Sequence, residues 1–164
     1  MRYSKRKIIC LILSCVWMAV IFCFSARDAD ESEKDSYRVG LAVGKIIVSD
    51  FNQKTEEEQL EFAKKIDYPV RKTAHATEYA VLGILLLGVF YNGNSKKIKN
   101  VSLPLIISIL YASTDEIHQL FVPGRSGKPF DVMIDGCGAF VGIIITMLII
   151  KLINNHHKKT SHSS

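Results

Sequence analysis

Asp115, Glu116, His118 and Gln119 stand together at the close of an apolar run, and Arg125, Asp131 and Asp135 follow before the next apolar run begins. Ionisable groups at the edge of a hydrophobic span are costly, so they usually have partners or a task. Upstream, Arg71, Lys72, His75, Glu78 and Tyr79 occupy the mouth of another apolar run. Imidazoles beside carboxylates are the parts of general acid–base catalysis, and lysine or arginine can hold a phosphate or carboxylate. His75 and His118 are therefore the candidate acid or base, with Glu78, Asp115 and Glu116 as the carboxylates of a catalytic set. Lys72, Tyr79, Gln119, Arg125, Asp131 and Asp135 are the candidate ligand-binding residues. A divalent metal on Asp115, Glu116, His118, Asp131 or Asp135 stays open, although their spacing matches no standard metal motif, and no cofactor is specified. No serine or cysteine sits in a recognisable nucleophile setting, so a covalent triad mechanism has no support.

The alternative is structural. Arg125 or Lys72 could pair with Asp115, Glu116, Asp131 or Asp135 merely to pin helix ends together. Two histidines, five carboxylates and three cations are more than pinning requires, so the set favours a binding or catalytic pocket. The chemistry that suits it is a hydrolase or transferase acting on a lipid head group, or a module that grips a charged partner without turnover.

The elements that must position these groups are membrane helices. The 164 residues are 48% hydrophobic, and the apolar residues gather in long runs: Ile8 to Phe24, Ala74 to Tyr91, Val101 to about Val122, and Val132 to Ile153. Each is long enough for a hydrocarbon core of roughly 30 Å, predicting an all-α integral membrane protein with four transmembrane helices. A cleaved signal peptide is the rival reading of the first run, which is longer than the usual apolar core of such peptides. Residues 8–153 form the membrane domain and 154–164 a tail without apolar pattern, expected to be frayed.

Between the first two spans, residues 25–72 make a polar loop. Val39, Ala42, Val43, Ile46 and Ile47 recur there at helical spacing, and Thr55 with Glu58 forms a capping box. Two short helices are expected, the second ending at Pro69, covering the end of the bundle without forming a separate domain. On the second span Lys72, His75 and Tyr79 share a face, and on the fourth Asp131, Asp135, Gly138 and Gly142 align. The glycines allow close helix contact, within the bundle or against a second copy.

The net charge of +5 reflects basic groups flanking the apolar runs, which speaks for topology and against nucleic-acid binding. The N-terminus, the Lys96, Lys97 and Lys99 loop and the C-terminus are basic, so all three should face the cytoplasm. Both polar clusters then fall at the extracytoplasmic end. His156 and His157 belong to the solvated tail. The four cysteines have no metal-ligand or disulfide spacing and read as small apolar residues.

The segments RKTAHATEYAVLGILL and YASTDEIHQLFVPGRSGKPFDVMIDGCGAFVG, with a first span ending in Phe-Ser before a polar loop, resemble the VanZ family of membrane proteins. The matching residues are Lys72, His75, Glu78 and Tyr79, Tyr111 through Gln119, Phe121, Pro123 to Arg125, and Asp131 through Gly142. Asp135 departs from the family pattern, which more often has Asn there. The resemblance implies a setting where envelope precursors meet glycopeptide antibiotics, because the founding member lowers susceptibility to teicoplanin. The partners it implies are the lipid bilayer and a lipid-linked envelope precursor or the antibiotic. Rival functions are a non-catalytic protein recruiting an envelope enzyme, and a small transporter, which would need polar residues in the apolar stretches Ile84 to Val89 and Ile143 to Ile150.

Overall fold

The computed structural model describes residues 4–93 and 98–160, with side chains through His156. Arg2 in the basic N-terminus and Lys96 and Lys97 in the basic loop lie outside the described residues, as does the side chain of His157. Among the described residues the chain is all helical: α1 (Lys5–Ser25), α2 (Ala29–Ile47), a 3-10 turn (Phe51–Gln53), α3 (Glu56–Phe90), α4 (Lys99–Gln119) and α5 (Pro129–Thr160).

Local sequence explains most boundaries. Asp28 caps α2 by accepting from the Glu31 amide at 2.8 Å, with Asp30 and Glu31 at the positive end of the helix and Lys45 at the negative end. Thr55 and Glu58 form the anticipated reciprocal capping box at the start of α3. What begins there is a single helix of 35 residues that runs straight through Pro69, not a short helix broken by it. A proline removes one internal hydrogen bond and crowds the preceding turn. Here tertiary contacts hold both halves: Ala63, before the proline, abuts Gly40 of α2, while Ala76 and Ala80, after it, abut Gly138 and Gly142 of α5. At the other end of the chain, α5 continues to Thr160, so the tail expected to fray extends the last helix.

Among the described residues three helices are long and apolar enough to cross a membrane: Lys5–Ser25, Glu56–Phe90 and Pro129–His156. Their outer faces expose Ile8, Ile12, Val16, Ile145, Leu148 and Leu152, as a lipid-facing surface would. α4 has 21 residues, but its apolar stretch is broken by Asp115 and Glu116, and it falls short of the other three. Phe121 and Val122 lie beyond its end, in the connection to α5.

α3 is the hub, packing on α1, α2, α4 and α5. Ile21, Tyr79, Leu82, Leu86, Ala112 and Ala139 form the main buried cluster, and Leu87, Tyr91 and Ile143 a second one nearer the opposite end. There Arg6 donates to the Tyr91 carbonyl at 2.5 Å and lies over the Tyr91 ring, fixing the start of α1 to the end of α3.

Candidate functional site

Four chain segments converge at one end of the bundle: the end of α1, the middle of α3, the end of α4 and the start of α5. Hydrogen bonds tie the connection 120–128 to the end of α1, the start of α2 and α4. Gly124 takes φ +71°, a left-handed conformation that suits glycine, and the Ala29 amide donates to the Pro123 carbonyl at 3.2 Å beside it. The Lys128 amide donates to the Glu116 carboxylate at 2.7 Å. Arg125 reaches back from this loop to donate to the carbonyls of Arg27 at 3.3 Å and Phe24 at 3.4 Å.

Two adjoining cavities open under this loop, and Arg71, His75 and Arg125 line both. The first, about 190 Å³, lies beneath α2 and includes Arg27, Asp35 and Glu78 in its wall. The second, about 120 Å³, is bounded by Arg71, Lys72, Arg125 and Lys128 with a single carboxylate, Asp131, together with His75 and Gln119. Four cations and one carboxylate line it; Asp67 and Asp131 already pair with Arg71 and Lys72, so among the described residues Arg125 and Lys128 are the lining cations left without a carboxylate partner, open to an anion.

The cations differ in their partners. Arg27 is held by Asp35 and Glu31, and the hydrogen bond to Asp35 raises its pKa above the ordinary value. Arg71 pairs with Asp67 at 2.7 Å, and Lys72 with Asp131 at 2.5 Å. Arg125 has no carboxylate within ion-pair distance among the described residues; burial, then the neighbouring Arg71, lower its pKa from the ordinary value. A half-buried guanidinium whose acceptors are two backbone carbonyls keeps capacity for an incoming anion.

The candidate residues separate into layers. Lys72, His75, Gln119, Arg125 and Asp131 line the recess, and Glu78 lines the adjoining cavity with its carboxylate 3.8 Å from His75 Nδ1. Asp115 and Glu116 lie just beneath, 3% and 6% exposed, and share the Gln119 amide at 3.2 Å each. Asp135 is deeper, 1% exposed, and neither of its oxygens has a hydrogen-bond donor among the described residues. Tyr79 is wholly buried in the core near Tyr111. His118 turns toward α1, where its ring stacks on Phe22 with centroids 4.4 Å apart. Among the described residues no group of three or more His, Cys, Asp or Glu side chains has metal-binding geometry.

Residues 10–151 match the VanZ/LLP1 family. The chain belongs to the VanZ/LLP1 family. No curated protein and no solved structure matches it. Family membership and the apolar helices together make this a VanZ-like membrane protein.

In this VanZ-family chain, sequence reasoning missed Arg27 and Lys128 as cavity residues. Their signal was position, since Arg27 follows the end of α1 and Lys128 directly precedes α5, both at the converging end. The Gln119 amide is the shared donor of two buried carboxylates, so Gln119→Leu should cost about 1–3 kcal/mol of stability. Thermal unfolding of the purified protein in detergent reads this; an unchanged midpoint would mean that the carboxylates find other donors.

Proposed function

We propose that this protein crosses the membrane four times, α4 being the third span in chain order, with its termini in the cytoplasm and the cationic recess at the extracytoplasmic face. The basic groups near the N-terminus, the loop preceding α4 and the C-terminus support that orientation. In this setting the recess binds the anionic part of a cell-envelope component and lowers teicoplanin susceptibility. The observation that carries the reading is the recess itself, lined by Arg71, Lys72, Arg125 and Lys128, of which Arg125 and Lys128 have no carboxylate partner among the described residues. Where binding leads to turnover, the reaction is hydrolysis of, or transfer to, a lipid head group. His75 is then the acid or base, since it lines both cavities; the Glu78 carboxylate stands 3.8 Å from its Nδ1 and orients it once the two close to hydrogen-bond distance.

A second reading has a specific observation in its favour. α2 exposes Val39, Ile46 and Ile47, which suits a non-catalytic protein that recruits an envelope enzyme through that helix.

The test is teicoplanin susceptibility of a host carrying wild-type protein, empty vector, Arg125→Ala, His75→Ala or Val39→Ser/Ile46→Ser, with membrane abundance measured in each. Wild type should protect, and Arg125→Ala should weaken anion binding about tenfold, the loss of one charged hydrogen-bonding group, and abolish protection at normal abundance. Loss at His75 as well favours chemistry, and loss only in the α2 variant favours recruitment. Absence of protection by wild type would overturn the resistance reading.

A further inference from the structure

Between α3 and α5 the outer surface of the bundle carries a trough of about 860 Å³, floored by Ala76, Ala80 and Gly138 and flanked by Tyr68, Phe130 and Met133. Small residues make the floor: a Cβ on Gly138 would lie 2.1 Å from the Ala76 carbonyl oxygen, so the two helices touch backbone to backbone there. The flanks stand well clear of it, with Tyr68, Phe130 and Met133 all more than half exposed.

The upper end of the trough is not apolar. Tyr68 and Lys72 line both the trough and the cationic recess, and Lys72 Nζ lies 5.5 Å from the centre of the Tyr68 ring. From Tyr68 to Ala80 the trough follows α3 for about 18 Å at the helical rise per residue, descending from the charged mouth into the apolar part of the bundle. One continuous surface is thus electropositive at its mouth and hydrocarbon-like for the rest of its length. Its complement is an amphiphile with an anionic head and a long apolar chain.

We propose that a phosphate-bearing membrane lipid occupies this surface, its phosphate in the recess and its hydrocarbon chain along the α3–α5 trough. The inference rests on the recess being an anion site and names the class of molecule that carries the anion. The lipid reaches the recess sideways from the bilayer, passing Lys72. Arg125, with its spare hydrogen-bonding capacity, receives the phosphate, and the charge at the mouth selects an anionic lipid over a neutral one. A second copy of the chain packed into the trough would instead cover Lys72 and close the mouth.

The experiment uses the purified full chain in a neutral detergent and two probes. The first is phosphatidic acid with a photoreactive group in its acyl chain, read by peptide mapping; the second is glycerol phosphate, which has the head and no tail, read by calorimetry. Labelling should concentrate on 73–80 and 133–141 and be displaced by unlabelled phosphatidic acid but not by diacylglycerol. Thr77→Trp, an exposed trough position outside both cavities, should cut specific labelling about tenfold and leave glycerol phosphate binding as in wild type. Arg125→Ala should weaken both probes. Labels scattered over the outer faces of α1 and α5 with no effect of Thr77→Trp would overturn the trough, while retained glycerol phosphate binding would leave the anion site standing. Failure of both probes to bind would remove the anion site and the lipid together. Conversion of an oligomer to a monomer by Thr77→Trp would make the trough an interface between copies and overturn the proposal.

Discussion

Gly138→Ala is expected to destabilise the bundle far more than Gly136→Ala, although the two positions lie two residues apart on α5. A methyl group at Gly138 would lie 2.1 Å from the Ala76 carbonyl oxygen and 2.8 Å from its Cα, so α3 and α5 must separate to admit it. At Gly136 the nearest atom is Cγ1 of the Ile109 side chain at 3.2 Å, which can rotate aside. Overpacking a core costs about 1–3 kcal/mol, and an obstacle made of backbone places Gly138→Ala at about 3 kcal/mol or beyond, with Gly136→Ala below about 1 kcal/mol. Because the same helix pair carries Lys72 and Asp131, the larger substitution should also weaken the recess. Thermal unfolding of the two variants side by side measures the difference. Equal midpoints would show that α3 and α5 are not in backbone contact at this level.

Lys72→Met should destabilise by about 2 kcal/mol, and adding Asp131→Asn should recover most of that loss. Lys72 Nζ and Asp131 Oδ1 are 2.5 Å apart, with the two side chains 21% and 12% exposed. Removing the cation deprives a largely buried carboxylate of its ion-pair partner, which costs about 3–5 kcal/mol when burial is complete and less with this degree of solvent access and with Arg71, Arg125 and Lys128 on the same cavity wall. The asparagine removes the orphaned charge. A double-mutant cycle on unfolding free energy isolates the coupling. Anion binding should respond differently, staying weak in the double variant because the recess has lost a cation whatever happens to stability. Were Lys72→Met neutral for folding, the pair would not be pinning α3 to α5, and Lys72 would serve the ligand alone. Recovery of binding in the double variant would show that Lys72 acts only by neutralising Asp131.

The local signals that proved readable are those that a short stretch of chain satisfies by itself. Thr55 and Glu58 announced the start of α3, since a capping box needs only three residues of separation. The gathering of Lys72, Arg125 and Asp131 at one end of the molecule was legible because successive apolar helices packed antiparallel bring alternate ends together. Pro69 was misleading for the opposite reason. Its local penalty is real, but contacts of Ala63 with α2 and of Ala76 and Ala80 with α5 outweigh it, and none of these is visible in the neighbouring residues.

The same division runs through the site. The helical class, the membrane character, the family to which residues 10–151 belong, and the ionisable residues concentrated at the ends of the apolar runs are all readable from the order of the amino acids. Which of them share a cavity depends on how the helices pack: His75 lines it, while His118 stacks on Phe22 and Tyr79 is buried in the core. The same packing sets Gly138 and Gly142 against α3 and brings Arg27 and Lys128 into the cavity walls. The physical reason is rotation. Periodicity tells which residues share a face of one helix, but which neighbour that face meets depends on the packing of all the others, and a step of one residue turns a side chain by about 100° from a cavity toward lipid or core.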